Sequence, residues 1–314
     1  MEDKKALSTQ DVADMLHVSK STIYDLIKKG EISSYKVGRK VRFTESDLQD
    51  YISRSKKGQS AIHSSSNNIS DFSLSGIDKK KQDGFIICGQ DLILDILSNY
   101  MRLHGIPALR AYIGSYDSLI SLYKNIINVA SAHLWDSDTD QYNVAYVKRL
   151  LPGVSTVIIH LTCRIQGLYV AKGNPKGITN WADFGRNDIT MINREHGAGS
   201  RVLLDENLKL LGIYGRSIKG YKKESQSHLA VASAVSSGEA DVAVGTEKIA
   251  RQVDNIDFIP LKKERYDLVV KKEDYQTPEI QTMLNIIRSV AFKNEFANIG
   301  GYDTSDMGKI VAEI

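Results

Sequence analysis

The chain has 314 residues, 42% hydrophobic and 25% charged, with a net charge of +3; this is ordinary globular composition for two or three domains and excludes a uniformly basic coat protein. Its two cysteines, Cys88 and Cys163, lie in apolar runs with no CxxC and no Cys/His ligand spacing, so neither a structural zinc nor any other metal or cofactor is expected. The sequence leaves open whether they pair, a reduced pair being the simpler reading; with no signal peptide after Met1 and no apolar run of roughly 18 residues, a cytoplasmic protein without a membrane span is expected.

The first element is a helix opened by Ser8-Thr9 with acids in its first turn and Val12, Met15 and Leu16 on one face. His17-Val18-Ser19 breaks it. Ser19 then caps a second helix, residues 20–29, closed by Gly30. Two short helices joined so tightly form a helix-turn-helix, whose second helix can enter the major groove. Residues 34–43 alternate around Gly38 as a basic hairpin or wing. Thr44 caps a third helix, with Glu45 the expected partner of a capping box once a one-residue shift is allowed. Between residues 20 and 42, seven Lys/Arg face two acids. The charge therefore sits where phosphates would lie. Lys20, Ser21, Thr22, Tyr24 and Lys28 are the recognition-helix candidates, and Lys36, Arg39, Lys40 and Arg42 the wing contacts to double-stranded DNA.

This head, carried by "LSTQDVADMLHVSKSTIYDLIKKGEISSYKVGRKVRFTESDLQDYI", resembles the excisionase-like, MerR-related winged helix-turn-helix. The resemblance spans the first fifty residues or so and implies a DNA-binding domain, bounded here at 1–56.

Residues 57–83 lie in a Ser-, Asn- and Lys-rich stretch without periodicity and read as a flexible tether; it lacks the heptads of a coiled coil. From Gly84 strands and helices alternate. "GFIICG" is an apolar strand, and "DLILDILSNYMRLHG" a helix with Leu92, Ile96, Leu97 and Leu103 on its stripe. "ALRAYIG", "SYDSLISLYKNIIN" and "VASAHLWD" complete a βαβαβ run, hence a parallel sheet with right-handed crossovers. "VSTVIIHLTCRIQGLYVAKGN" begins a further series of strands and helices. Some 230 residues suffice for two α/β lobes.

The segments "SAHLWD", "YNVAYVKRLLPG", "QGLYVAKGNPKGI", "INREHGAGSRVLLD", "SHLAVASAVSSGEADVAVG", "FIPLKKERYDLVV" and "GGYDTSDMG" make residues 84–314 resemble the type II periplasmic-binding-protein fold. The fold class this implies is α/β, two-lobed, after a small winged helix-turn-helix domain. The resemblance further implies a second lobe of about 164–245, a two-strand hinge near Ile159–Arg164 and Gly245–Leu261, and a ligand between the lobes. Its relatives include molybdate and tungstate binders, which makes a small oxyanion the leading effector.

The sharpest local motif is Arg194-Glu195-His196-Gly197-Ala198-Gly199-Ser200-Arg201, between a strand and an amphipathic helix. Gly197 and Gly199 allow close backbone approach, the helix N-terminus favours an anion, and Arg194, Ser200 and Arg201 add donors. It fits no Walker loop, dinucleotide fingerprint or nucleophile elbow. The alternative is a turn with Ser200 as cap and Arg201 in a surface pair. Turns at Gln90, Ser115 and Ser227 fall where ligands collect in open α/β sheets; Ser115 and Ser227 serve equally well as caps, and Asp91 as a cap or an orienter. His133 and His228 are donor candidates. Arg164 needs either an anion or an acidic partner. Trp135 and Trp181 read as packing.

Together these parts imply a one-component transcription regulator; the alternatives are an excisionase-like recombination accessory factor, which needs no receptor of this size, and a cofactor-biosynthesis-associated enzyme, for which paired carboxylates, a nucleophile–base pair and a metal signature are lacking. Useful occupancy of DNA by so small a head calls for a homodimer, with the contact in residues 84–314.

Overall fold

The computed structural model describes residues 7–16, 18–28, 32–37, 40–44, 47–48, 51 and 84–314. Arg39, Gly30, Glu45 and the tether at 57–83 lie outside the described residues. The chain divides into two compact units, Met1–Lys81 and Gln82–Ile314.

In the first unit, strand β1 (Leu7–Ser8) precedes helices α1 (Thr9–Leu16) and α2 (Lys20–Lys28) and the hairpin β2 (Tyr35–Val37) and β3 (Lys40–Phe43). Ser8 and Asp11 cap α1 reciprocally: the Asp11 amide donates to Ser8 Oγ and the Ser8 amide to Asp11 Oδ2. Ser19 Oγ caps α2 by accepting from the Thr22 amide. The sheet runs β1-β3-β2, and Val12, Ala13, Ile23, Ile32, Phe43 and Leu48 form a core beneath it. Ala13, rather than Met15, completes the buried face of α1; Met15 is exposed. The capping box after the hairpin joins Thr44 to Asp47: the Thr44 amide donates to Asp47 Oδ2 at 2.8 Å and the Asp47 amide to Thr44 Oγ1 at 3.2 Å.

The second unit comprises β4 (Phe85–Cys88), α3 (Leu92–Leu103), β5 (Ala108–Ala111), α4 (Ser115–Tyr123), β6 (Val129–Ala132), the hairpin β7 (Trp135–Asp136) and β8 (Gln141–Tyr142), α5 (Val144–Leu150) and β9 (Thr156–Ala171). There follow β10 (Asn193–Arg194), α6 (Gly199–Leu210), β11 (Glu224–Ser225), α7 (His228–Ser236), β12 (Val242–Thr246), α8 (Glu247–Ala250), β13 (Ile256–Lys271), α9 (Pro278–Arg288), α10 (Val290–Ile299) and β14 (Ile310–Glu313).

β4, β5 and β6 are parallel, as the βαβαβ order requires, and the seven-stranded sheet runs β12-β9-β13-β6-β4-β5 with β14 on β9. The 16-residue strands β9 and β13 pair antiparallel along their whole length and pass through both lobes. Alternation along them separates four cores. In the first lobe Val157, Ile159 and Leu161 face α3, α9 and α10, while Ile158 faces α4 and α5. In the second, Leu168 and Val170 face α6, and Tyr169 faces α7. Ile256, Ile259 and Leu261 still pack in the second lobe. The return crossing therefore lies on β13, later than the sequence placed it.

The buried stripe of α3 is Ile93, Leu94, Leu97 and Met101, which leaves Leu92 and Leu103 exposed. The stripe is rotated from the expected one because Asp91 caps the helix, accepting from the Ile93 amide at 2.9 Å and turning Leu92 outward. Among the described residues no helix is long and apolar enough to cross a membrane.

Candidate functional site: the interlobe cleft

The β4–α3 and β5–α4 connections and the end of β6 open at the carboxyl edge of the parallel strands, where the chain switches from β5 across β4 to β6. Opposite them stand the starts of α6 and α7. Between the lobes lies a cleft of about 570 Å³. The cap residues of four helices line it: Asp91 for α3, Gly114 for α4, Ala198 for α6 and Ser227 for α7. The caps of α4 and α6 carry no side-chain bond to their helices, because Gly114 and Ala198 have no polar side chain. The positive ends of these two helix dipoles therefore lie at the cleft lining.

The floor is a buried charge network. Arg164 on β9 lies opposite Glu264 on β13 in register and is ion-paired to both Glu264 and Asp91. Its guanidinium stacks 4.2 Å from the Tyr266 ring centroid. His133 Nδ1 lies 2.7 Å from Glu264 Oε2, and Gln166 Nε2 donates to the same oxygen at 2.5 Å. Burial alone would raise the Glu264 carboxyl, but Arg164 and then His133 outweigh it and hold it at about 2. Asp91 is also held below its ordinary value: burial opposes this, but Arg164, the Tyr302 hydroxyl and the Ile93 amide prevail. His228, first residue of α7, is pushed well below its ordinary value by burial, then by Arg194, Arg164 and His133. Its Nδ1 is buried without a hydrogen-bond partner among the described residues. A neutral imidazole with a free ring nitrogen is thus held at the cleft wall.

The lobes touch across this opening. The Tyr116 amide donates to Gly197 O at 3.1 Å. Arg194 Nη2 donates to Gln90 Oε1 at 2.7 Å and also pairs with Glu195 at 2.8 Å. Lys248 Nζ donates to Tyr302 Oη at 2.8 Å, Lys209 pairs with Asp138 at 3.2 Å, and Trp135 packs on Leu203. Arg110 pairs with Asp95 at the rim. Around the cleft Arg110, Arg164, Arg194 and Lys248 therefore face Asp91, Asp95, Glu195 and Glu264, and formal charge cancels.

Of the residues expected to bind ligand, Gln90, Ser115, His133, Arg164, Arg194, Gly199 and His228 line the cleft. Gly197, Ser200 and Arg201 do not. Gly197 is taken up in the lobe contact with Tyr116. Ser200 Oγ is buried and without a partner among the described residues. Arg201 turns inward to Asp205 at 3.0 Å and Glu224 at 3.3 Å, its guanidinium 4.3 Å from the Tyr221 ring centroid. It is a buried strut rather than a surface pair or a ligand donor. Ser115 is not a cap; its Oγ accepts from the His133 amide at 3.3 Å. Ser227 is one, accepting from the Ala230 amide at 3.1 Å. Trp135 and Trp181 pack, as expected.

Sequence reasoning missed Glu264, Gln166, Tyr266, Tyr302, Thr246 and Lys248. It also missed a cluster outside the cleft: Cys163 Sγ lies 3.9 Å from His160 Nε2, whose Nδ1 is 3.0 Å from Asp267 Oδ1. A bulge between Tyr266 and Asp267 brings these residues to one side of β9. Both cysteines are free. Among the described residues, no group of three or more His, Cys, Asp or Glu is arranged to hold a metal ion.

In the head, Ile23 is buried and Lys20, Tyr24 and Lys28 form an exposed stripe at i, i+4 and i+8 on α2. Ser21 and Thr22 are exposed beside it, their hydroxyls 2.6 and 2.9 Å from Ser19 Oγ. Lys40 is exposed and Arg42 half-buried on β3, and Lys36 lies on β2.

The helix-turn-helix domain family matches residues 6–56, and the PBP superfamily domain, described as PBP_like, matches residues 98–288. The Bacillus subtilis (strain 168) protein YvgK is 40% identical over 316 residues, covering 100% of both chains. A Clostridium pasteurianum protein from the 5' region of a 2Fe-2S ferredoxin gene is 57% identical over 113 residues, 36% of this chain and 100% of that one. Among solved structures, a protein described as a phosphate ABC transporter substrate-binding protein with bound phosphate, from Clostridium perfringens, is similar in fold. It is 15% identical, with a TM-score of 0.51 over 70% of this chain and 98% of that one.

Proposed function

Because the chain belongs to the PBP superfamily domain family and carries a helix-turn-helix domain ahead of that receptor, we propose that it is a one-component DNA-binding transcription regulator sensing a small anion. The head is assigned to residues 1–56, the connection to 57–83 and the receptor to 84–314. The observation that carries the ligand class is the convergence of the starts of α4, α6 and α7 on one cleft, beside Arg164, Arg194 and His133. Such N-termini suit an oxyanion or a carboxylate. Molybdate and tungstate, named by the resemblance to their binders, are the first inorganic probes.

Anion binding across Gln90, Arg194 and the α6 start stabilises the closed pair of lobes. Closure then changes how two paired heads meet their half-sites, provided the ligand prefers closed over open. The pairing contact is assigned to the receptor, so light scattering of the full chain and of residues 84–314 is expected to give dimers for both.

The test is fluorescence anisotropy of the full chain on DNA from upstream of its own gene, with and without molybdate, tungstate, phosphate and organic anions. A ligand-dependent shift in affinity supports the reading; a chain lacking residues 1–56 that binds equally well overturns it. The excisionase-like alternative, favoured by the head alone, requires DNA binding that no anion alters.

A further inference from the structure

Three exposed large apolar side chains line the cleft, and they come from both lobes. Leu92 at the start of α3 is 46% exposed, Tyr112 after β5 is 61% exposed, and Leu229 in the first turn of α7 is 52% exposed. Ile113 and Ile249 also line the cleft. The first turn of a helix favours polar or acidic residues, so a leucine there, turned to solvent at a cleft entrance in each lobe, is a surface prepared for contact.

Size and charge agree with this. A water claims about 30 Å³, so a tetrahedral oxyanion of five heavy atoms fills on the order of 100 Å³, a small part of the 570 Å³ cleft. Pockets of this size accommodate organic ligands, held mainly by apolar contact with a few placed polar groups. Three of the four cations around the cleft are met by an acid: Arg164 lies between Asp91 and Glu264, Arg194 against Glu195 and Arg110 against Asp95, while Lys248 donates to the Tyr302 hydroxyl. No excess of formal positive charge awaits a dianion, whereas helix dipoles and neutral donors suffice for a singly charged head.

Building on the anion-sensor reading, we propose that the effector is an organic monocarboxylate, its carboxylate at the α4 and α6 starts and its apolar body between Leu92, Tyr112 and Leu229. Closure then brings the apolar residues of both lobes onto one molecule, which links ligand size to the closed state.

Calorimetric titration of the full chain with acetate, butyrate, hexanoate, phenylacetate and molybdate tests this. Phenylacetate or hexanoate is expected to bind at least tenfold tighter than acetate, with a heat-capacity change that grows more negative with apolar size. In Leu92→Ser and Leu229→Ser chains the ratio of phenylacetate to acetate affinity is expected to fall at least fivefold. Equal affinity along the series, or molybdate tighter than every carboxylate, overturns the monocarboxylate and leaves the anion sensor standing. Carboxylates that bind as expected without altering DNA affinity keep the ligand class and remove the sensor. Binding of none of the probes overturns both.

Discussion

His133 occupies the space that a Cβ on residue 199 would need: that atom would lie 2.4 Å from Cε1 of the ring. The first lobe therefore requires a glycine at 199, because it rests the His133 imidazole on the start of α6. Gly199→Ala is expected to push His133 off Glu264 and hold the lobes apart. Ligand affinity should fall more than tenfold while circular dichroism stays native. Gly114→Ala, whose Cβ would meet Gly197 O at 3.1 Å, should lose less. Wild-type affinity in the Gly199→Ala chain would show that closure does not need this contact.

Arg194 and Arg201 looked equivalent in the glycine-rich loop, but the structure gives them separate tasks. Arg194, 2% exposed, reaches Gln90 across the cleft; Arg201, 1% exposed, braces Asp205 and Glu224 within its own lobe. Arg194→Ala is expected to weaken the anion by about 1.5–3 kcal/mol, the range of a charge-assisted hydrogen bond, with a small change in Tm. Arg201→Ala should lower stability by about 2–3 kcal/mol, below the full cost of breaking a buried pair because its acids are a third exposed. Denaturant unfolding and calorimetry on both chains separate the two roles, and a reversed pattern would exchange them.

What could be read from sequence was what local pattern encodes. The turn at residues 17–19, the βαβαβ order and the strand–glycine–helix join at 193–199 all follow from caps, periodicity and turn residues. Arg164 showed its need for a negative partner, a ligand anion or an acid, but not which one. Glu264 lies inside Lys262-Lys263-Glu264-Arg265, a run that looks like solvated charge, and becomes buried only because β13 pairs with β9 in a register that sets it opposite Arg164, a hundred positions away. Tyr302 reaches Asp91 from still farther along the chain. Register between distant strands leaves no local trace beyond alternation, and the Glu264/Tyr266 alternation was masked by charged neighbours.

Stability should fall on both sides of neutral pH. His228 is held well below its ordinary value by burial, then by Arg194, Arg164 and His133. A depressed base contributes fully above its unfolded value of about 6.5 and loses that contribution as pH falls below it. His160 is the opposite case: burial opposes its charge, but Asp267 and then Cys163 raise it to about 9. Its contribution is complete below about 6.5 and fades as pH climbs through about 9. Thermal unfolding from about pH 5 to 10 should show both limbs, His228→Asn flattening the acid one and His160→Gln the alkaline one. Limbs that persist in both variants would assign the pH dependence to other groups.

On α2 the exposed stripe Lys20, Tyr24 and Lys28 presents two charges and one aromatic ring, while Ile23 is buried. On the proposed DNA-binding reading Lys28 and Lys40 act on phosphates and Tyr24 on base edges, so the two kinds of substitution should differ in signature. Lys28→Ala or Lys40→Ala is expected to weaken every DNA sequence alike and to reduce the slope of log affinity against log salt by about one. Tyr24→Ala should leave that slope in place and change which sequences are preferred, by about 1–3 kcal/mol at the contacted position. Ser21 and Thr22 belong with Tyr24, but their hydroxyls already bond Ser19 Oγ, so their substitution should also loosen the cap of α2 and lower the head's stability by about 1 kcal/mol or less. Anisotropy titrations over a salt series, on a preferred and a scrambled duplex, separate slope from preference. A Tyr24→Ala chain that loses affinity equally on both duplexes, with a reduced slope, would make Tyr24 a backbone contact and move base reading to another part of the head.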